Sequence, residues 1–306
     1  MRHISRRIAS PLTATIAVAA VVSTASSQAT VDLENRYPNV GVLMVWRVDD
    51  AGKPVQLRGF ASGTLIGDRV MLTAGHFTGA ATALGTLPTD IRIFASFSPG
   101  DAKNPITWIP VVGYATHPSM PHCPPPPQCD PTDEILVAPL EPGIADVGLM
   151  FLASSPAGVT PAQFAKPGAL ERSESVPTTI VGYGTTTPRR GSELPDTALW
   201  DGKRRFRTSK LRRVVDETWA LWSIPSHVCS GDSGGGIFVG SSSPGTGTRD
   251  VLVANVSDGG KDCRRHNNNN RLDTRSIQDW VNDTIRRHTP HGDFGINVTN
   301  PPPGDA

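Results

Sequence analysis

The sequence lacks an excess of charge of either sign: 29 Lys and Arg residues stand against 28 Asp and Glu residues, for a formal net charge of +1. Proteins that bind polyanions generally carry a basic face or stripe. The densest basic segment, residues 203–213, contains Phe206 and Leu211 among its cations and has the pattern of the outer face of a β-strand. The composition therefore gives no indication of a nucleic-acid partner.

The sequence also lacks an apolar run long enough to cross a bilayer. The uncharged, mostly apolar stretch at residues 12–22 has about half of the roughly 20 residues that a membrane helix needs. Three arginines precede it and small residues follow, which is the layout of a secretory signal peptide, with cleavage after Ala29 or Ala25. We expect residues 1–29 to be a signal peptide, the mature chain to be secreted or periplasmic, and no stable membrane anchor to remain.

Cysteine is scarce, and export makes disulfides the expected use of it. The four cysteines, which allow three pairings, are Cys123, Cys129, Cys229 and Cys263. A metal site at His117, His122, Cys123 and Cys129 is the alternative, but the cysteine spacing does not fit the usual zinc patterns. We therefore predict neither a metal nor a cofactor.

Most of the chain consists of short segments rich in Val, Ile, Phe and Trp, separated by Gly, Pro, Asp or Asn. These segments are 41–48, 60–66, 91–97, 178–183, 219–224, 236–239 and 251–257. This pattern predicts an all-β barrel or sandwich rather than a βαβ sheet. The length of 306 residues is enough for one large or two medium domains.

One helix is expected near the C-terminus. Its apolar positions recur at helical spacing at Ile277, Trp280, Val281, Thr284 and Ile285. Pro290 ends it, and we expect its apolar face to dock on the barrel, with Trp280 as a core anchor. Residues 289–306 are predicted to be a disordered tail, and the Ala-, Pro- and Ser-rich residues 153–175 an interdomain linker.

Three short motifs contain residues that together would allow acyl transfer by a serine. His76 ends the motif Thr-Ala-Gly-His after an apolar strand, and Asp146 opens another apolar strand. Ser233 lies in Cys-Ser-Gly-Asp-Ser-Gly-Gly-Gly, where glycines permit tight turns and close approach of a substrate. Such chemistry needs a nucleophile, a base, an acid that orients the base, and donors for the oxyanion. Each motif alone has a structural explanation, but the three together point to a hydrolase.

With this order of motifs the chain resembles the chymotrypsin/trypsin family of serine proteases, as a bacterial-type secreted member. The resemblance extends over residues 40–287 and includes three more motifs. These are Ser-Gly-Thr-Leu-Ile at 62–66, Val-Gly-Tyr-Gly-Thr at 181–185 and Ser-Asp-Gly at 257–259.

The resemblance implies two six-stranded antiparallel β-barrels with a C-terminal helix. Residues 30–152 would form the first barrel, with His76 and Asp146, and residues 176–288 the second barrel, with Ser233, and the helix. The substrate would be a polypeptide, and no oligomeric state is implied. The implied site residues beyond the triad are the backbone N–H groups of Gly231 and Ser233 for the oxyanion, and His227, Ser257 and Gly259 for substrate.

The resemblance also pairs Cys229 with Cys263 beside the substrate pocket, which leaves Cys123 for Cys129. Four prolines separate the latter two. In extended form each proline rises about 3.1 Å, so the run would hold the two Cα atoms beyond the ~7 Å limit for a disulfide. This second pairing therefore requires the proline run to bend.

The chain departs from the family in four places. Ala61 and Phe77 replace the cysteines of the histidine-loop disulfide, and Asp258 replaces an aromatic residue at the pocket rim. His227 occupies the specificity position, where an Asp would select Lys or Arg substrates. No Ile-Val-Gly-Gly start occurs near residues 26–30, although in the family that new amino terminus pairs with the Asp before the serine, here Asp232.

Two alternatives remain. The segment Gly-Asp-Ser-Gly-Gly also fits the G-x-S-x-G elbow of α/β-hydrolases, but that fold needs a helix after the serine. Here residues 237–239 are Ile-Phe-Val, followed by Ser, Gly and Pro, which are poor helix formers. A secreted binding protein on an inactive protease scaffold is the other alternative, because fold does not dictate function.

Overall fold

The structure is a computed structural model that describes residues 29–83, 87–120, 143–172, 177–187, 195–222, 228–240, 250–258, 263 and 268–288. Several sequence predictions fall outside these ranges. They are the body of the signal peptide, the C-terminal tail, the Cys123–Cys129 pair, His227 and Gly259.

Six strands from the first half of the chain close into a barrel. They are β2 (Val40–Val48), β3 (Pro54–Gly67), β4 (Val70–Thr73), β5 (Ile91–Ser96), β6 (Ile109–Thr116) and β7 (Gly148–Leu152). The strands pair antiparallel in the order β2–β3–β4–β7–β6–β5, and β5 returns to β2. Strands β4 and β7 are buried along their whole length. Met71 and Met150 pack in the core of this barrel, whereas Leu72 and Leu149 pack in a cluster shared with the second half.

A second six-stranded barrel follows. Its strands are β9 (Pro177–Gly182), β10 (Arg205–Val214), β11 (Trp219–Trp222), β12 (Gly236–Val239), β13 (Val251–Asp258) and β14 (Asn268–Arg271). They pair in the order β10–β11–β14–β13–β12–β9, and β9 closes the ring by pairing with β10. The predicted fold class, two six-stranded antiparallel barrels with a C-terminal helix, is confirmed.

Two short strands attach to the outside of this second ring. Strand β1 (Thr30–Val31) pairs antiparallel with β10, so the start of the segment expected in the first barrel contacts the second. Strand β8 (Gln163–Phe164) pairs parallel with β13. It lies within the expected linker, where a 3₁₀ turn (Leu170–Arg172) follows and Leu170 is buried. The connection between the barrels therefore packs against the second barrel.

Three α-helices complete the described part of the chain: α1 (Gly75–Ala83), α2 (Asp196–Leu199) and α3 (Arg275–His288). Helix α3 buries Ile277, Val281, Thr284 and Ile285, as its spacing predicts. Its apolar residues join the cluster that contains Leu149 and residues of both barrels, and His288 at its end stacks on Phe151 of the first barrel. Trp280 is half-buried against that cluster, edge-on to His117. No helix among the described residues is long and apolar enough to cross a membrane.

The basic segment on β10 is an outer face only in part: Lys210, Arg212 and Arg213 are exposed, as expected from sequence, whereas the arginines near its start are not. Arg204, Arg205 and Arg207 are all buried. The guanidinium of Arg204 lies 2.9 Å from Asp32, and both side chains are fully buried. Arginines tolerate burial where a carboxylate neutralises them, and partners distant in sequence are invisible to a charge pattern.

Candidate active site

His76 lies at the junction of strand β4 and helix α1, in the second residue of the helix. The strand is anchored on both sides, by β3 and β7, so the position of the imidazole is set by the barrel. The residue is only 8% exposed. The end of a strand that is paired on both sides is a suitable place for a catalytic side chain, because the strand holds that side chain in a fixed position.

Asp146 is fully buried and faces His76 with both carboxylate oxygens. Its Oδ1 accepts the backbone N–H of His76 at 2.7 Å, and its Oδ2 lies 2.9 Å from Nδ1 of the His76 ring. The hydroxyl of Ser257 donates to the same Oδ2. Because an ionised carboxylate only accepts, Nδ1 carries the hydrogen and Nε2 is the acceptor of the neutral ring.

Burial by itself would raise the pKa of Asp146, since it disfavours the charged form. Attraction to the protonated form of the His76 ring, the ring's hydrogen bond, the Ser257 hydroxyl and the His76 backbone N–H act in the opposite direction and hold the pKa below its ordinary value. Asp146 is therefore an anion at neutral pH that stabilises positive charge on the neighbouring ring.

The backbone of Asp146 is held by two asparagines of the second barrel. Its N–H donates to Oδ1 of Asn270 at 2.6 Å, and its carbonyl accepts from Nδ2 of Asn255 at 3.1 Å. Asn255 and Asn270 are fully buried and directly opposite each other on β13 and β14. Sequence reasoning misses both residues. The only signal is a polar residue, Asn255, inside the apolar run at residues 251–256.

Ser233 is partly exposed in the turn before β12. Its Oγ lies 3.4 Å from the carbonyl oxygen of Ser257, and its own carbonyl accepts the N–H of Ser62 at 2.8 Å. A Cβ on the next residue, Gly234, would overlap Thr73 at the end of β4, so the serine turn lies directly against the strand that leads to His76. Ser257 thus links Ser233 to Asp146 and His76 in one hydrogen-bonded cluster.

Gly231 has a φ of +90°, a conformation that side chains other than glycine rarely adopt. Its carbonyl accepts a hydrogen bond from the hydroxyl of Ser62 at 2.7 Å, and that hydroxyl also accepts the N–H of Tyr183 at 2.9 Å. One serine of the first barrel therefore fixes the orientation of the peptide group that follows Gly231.

Asp232, between these two residues, is buried and points away from the cluster. Its Oδ2 lies 2.6 Å from Nη2 of Arg207 and accepts the N–H of Cys229 at 2.9 Å. Its Oδ1 accepts the N–H of Gly184, also at 2.9 Å. The carboxylate is thus neutralised from within the chain by a strand of the second barrel.

The disulfide between Cys229 and Cys263 is present, as expected, with its Cα atoms 4.8 Å apart. It joins the base of the serine turn to the segment after β13. A bridge across 34 residues is worth about 3–4 kcal/mol on the chain-entropy model.

No protein-family model matches the chain, and no curated protein matches its sequence. Among solved structures the chain is similar to granzyme C, a chymotrypsin-like serine protease, with a TM-score of 0.55 and 16% sequence identity. The similarity covers 84% of this chain and 98% of the granzyme. The fold is chymotrypsin-like. At 16% identity the similarity shows the fold only, and the chemistry has to be inferred from the residues of the site.

On this chymotrypsin-like scaffold the structure brings His76, Asp146 and Ser233 to one cluster. Ser257, expected to bind substrate, is buried with its hydroxyl on Asp146. The other two expected substrate-binding residues, His227 and Gly259, lie outside the described ranges. Within those ranges no group of three His, Cys, Asp or Glu side chains could hold a metal ion.

Proposed function

We propose that this chain is a secreted serine endopeptidase that hydrolyses peptide bonds through an acyl-enzyme intermediate, with His76, Asp146 and Ser233 as its catalytic triad. The observation that carries the proposal is the buried Asp146. It accepts from both the ring and the backbone of His76, and it connects through Ser257 to Ser233. A buried carboxylate aligned on an imidazole in this way orients a general base.

In the first step, Ser233 Oγ attacks the carbonyl carbon of the scissile peptide, and its proton passes to Nε2 of His76. The resulting imidazolium is stabilised by the anionic Asp146, and the developing oxyanion by the N–H groups of Gly231 and Ser233. His76 then donates the proton to the leaving amine, the C–N bond breaks and an acyl-enzyme remains. Water attacks this ester by the reverse sequence and regenerates Ser233.

We also propose that residues 1–29 are removed as a signal peptide, so that the enzyme acts outside the cytoplasm. The Cys229–Cys263 disulfide supports this proposal, because such bonds persist in oxidising compartments. The substrate would be a polypeptide. His227 at the specificity position argues against a preference for Lys or Arg before the cleaved bond.

A serine-reactive fluorophosphonate tests the proposal. The secreted protein should be labelled at Ser233 and should cleave a peptide library, whereas Ser233→Ala should show neither label nor cleavage. Mass spectrometry of the labelled peptide identifies the site. A folded protein that is neither labelled nor active would instead be an inactive binding protein on a protease scaffold.

A further inference from the structure

The peptide group between Gly75 and His76 is held at both of its polar ends. Its N–H, which belongs to His76, donates to Oδ1 of Asp146 at 2.7 Å. Its carbonyl, which belongs to Gly75, accepts the hydroxyl of Thr78 at 3.1 Å. The first bond reaches the carboxylate of the proposed triad, and the second holds the same peptide group from the opposite side.

The hydroxyl of Thr78 is itself supported by a second hydroxyl. Oγ1 of Thr116, on strand β6, lies 2.8 Å from Oγ1 of Thr78. A threonine hydroxyl has one hydrogen, and Thr78 gives its own to the Gly75 carbonyl, so the hydrogen between the two threonines comes from Thr116. The bonds then run in one direction, from Thr116 through Thr78 and the peptide group to Asp146. We call this series the hydroxyl relay.

Close packing on strand β7 holds the relay in place. Thr78 is fully buried, and a Cβ on Gly148, the first residue of β7, would overlap its hydroxyl oxygen. Gly148 is also the register partner of Thr116 on β6. The absence of a side chain at Gly148 therefore leaves the space in which the two hydroxyls meet.

Gly75 makes a second close contact, on the other side of His76. A Cβ on Gly75 would lie 2.8 Å from the backbone nitrogen of Val147 and 3.1 Å from the carbonyl carbon of Asp146. Helix α1 therefore begins directly on the peptide bond that follows Asp146. The helix contacts the segment around Asp146 at two points, one residue before His76 and two residues after it.

Hydrogen bonds that follow one another in a chain polarise each other. A hydroxyl that donates to the carbonyl of a peptide group draws electron density from that group and makes its N–H a stronger donor. Here the N–H is that of His76, whose bond to the carboxylate contributes to the lowered pKa of Asp146. The relay therefore strengthens this bond as well as fixing its geometry.

We propose that Thr78 and Thr116 are positioning residues of the triad, whose hydroxyl relay holds the peptide group of His76 on the carboxylate of Asp146 and so keeps the imidazole aligned for proton transfer. Both act through another residue rather than on the reacting atoms. The inference rests on the proposed function, because this alignment affects a rate only if His76 is the general base.

The first experiment measures steady-state rates of Thr78→Val and Thr78→Ser. Valine keeps the shape of threonine but lacks the hydroxyl, so kcat should fall about three- to tenfold, the factor that corresponds to one hydrogen bond. KM should change by less than about twofold, because the bond affects alignment rather than substrate binding. Thr78→Ser returns the hydroxyl and should restore most of kcat.

Thr64→Val is the matched control. Thr64 is fully buried in the same barrel, and its hydroxyl has no hydrogen-bond partner within the part of the chain that the structure describes. We therefore expect wild-type kcat from Thr64→Val. A Thr78→Val variant with unchanged kcat would overturn the inference, as would a Thr78→Ser variant that is as slow as Thr78→Val.

Thr116→Val tests whether the second hydroxyl acts through the first. It should lower kcat less than Thr78→Val does, because the bond to the Gly75 carbonyl remains. In the variant with both substitutions the loss should be smaller than the product of the two single losses, since members of one hydrogen-bond network are coupled. Single losses that multiply in full would contradict the relay.

The backbone amide signal of His76 in NMR spectra tests the relay without any turnover. The proton and nitrogen shifts of an amide respond to the hydrogen bonds at its own N–H and at the carbonyl of the same peptide group. Thr78→Val should move this signal in the direction of a weaker N–H bond, whereas Thr78→Ser and Thr64→Val should leave it near its wild-type position. An unmoved signal in Thr78→Val would overturn the inference.

These outcomes are separable from failure of the proposed function. If the wild type is neither labelled by a fluorophosphonate nor active, the protease assignment fails, and the amide signal still reports on the relay. If the wild type is active and Thr78→Val is equally active, only the inference fails. Thermal melting shows whether a lost rate occurs in a folded variant. Should Thr78→Val fail to fold, Thr116→Val, at a half-buried position, still decides through its rate and the His76 signal.

Discussion

Three buried carboxylates each have a specific partner, and two of them belong to the candidate site. Asp146 faces an imidazole, and Asp232 and Asp32 face arginines of the same segment, Arg207 and Arg204. A buried charge that is paired and hydrogen-bonded is tolerated, whereas removal of one member leaves the other uncompensated. Substitutions at these positions should therefore lower the free energy of unfolding by more than the small number of atoms they remove suggests.

Asp146→Asn should lower kcat by about 10³–10⁴-fold, because an amide no longer holds the His76 ring in the required tautomer. Combined with Ser233→Ala, it should cost little beyond the serine variant alone, since the residues act as one unit. Steady-state rates of the single and double variants measure this. Additive losses in the double variant would show that Asp146 acts independently of the serine.

The depressed pKa of Asp146 has a consequence for stability. Its ionised form is favoured in the folded state, so its contribution is present above the unfolded value of about 3.9 and is lost as the pH falls through the lower folded value. The free energy of unfolding of wild type should therefore fall more steeply than that of Asp146→Asn on acidification below about pH 4. Denaturant titrations of both proteins at pH 7 and pH 3 measure this difference. An equal loss of unfolding free energy in the two proteins would contradict the lowered pKa of Asp146.

His227, at the specificity position, leads to a prediction about substrate preference. A neutral or cationic His227 does not offset the cost of burying a substrate Lys or Arg, so we expect small, polar or acidic residues before the cleaved bond. Acidic residues should gain as the pH falls from 8 to 6, because protonation would give the imidazole of His227 a positive charge. Matched peptide series at both pH values provide the test. A dominant preference for Arg or Lys at both would show that His227 is not the pocket floor.

At the scale of elements, strands β13 and β14 reach from the second barrel to Asp146 of the first. Ser257 on β13 bonds the carboxylate of Asp146, while Asn255 and Asn270 hold its backbone carbonyl and N–H. The two asparagines are a register pair, so one position along two adjacent strands provides both contacts. Contacts between the barrels therefore also fix the position of Asp146.

Replacing either asparagine should affect both stability and rate. Asn270→Leu or Asn255→Leu leaves a backbone group of Asp146 without its partner, which costs about 1–3 kcal/mol of stability, and we expect kcat to fall about tenfold or more with KM little changed. Asn268→Ala, exposed on the same strand, is the control. A drop in unfolding free energy with unaltered kcat would assign the pair to folding alone.

At the scale of the whole molecule, the site is a joint product of two closed barrels. The first provides His76, Asp146 and Ser62, and the second provides the serine turn, Arg207 and the disulfide that braces the turn. Helix α3, from the C-terminal end of the chain, packs in the cluster shared by the two barrels, and its His288 stacks on Phe151 of the first. The chain therefore crosses between the barrels in both directions, and the site depends on the complete fold.

The disulfide contributes to this fold at long range. A Cys229→Ala/Cys263→Ala variant should lose about 3–4 kcal/mol of unfolding free energy, because the reduced chain regains the entropy of a 34-residue loop. Guanidinium titrations of wild type and variant give the difference, and each single variant should match the double one. Peptide mapping without reduction checks the pairing, and Cys123 joined to Cys229 would contradict it.

The sequence alone determined the local features of this protein. Apolar segments bounded by turn residues predicted strands such as β12, the 3.6-residue spacing predicted α3, and the motifs around His76, Asp146 and Ser233 singled out the residues that now form one cluster. These features can be predicted from the sequence because each depends on residues only a few positions apart in the chain. The Asn-rich strand β14 escaped notice, since asparagine is depleted in strands and only its partners stabilise it there.

Tertiary structure alone decided which distant groups meet. A run of arginines at 204–207 looks like a solvated strand face, yet closure of the second barrel turns Arg207 onto Asp232 and brings Arg204 to Asp32. The same closure sets the register that places Asn255 opposite Asn270 beneath Asp146. A buried charge or amide is satisfied by whatever the pairing of remote strands puts beside it, and strand register is a property of the closed sheet rather than of any segment within it.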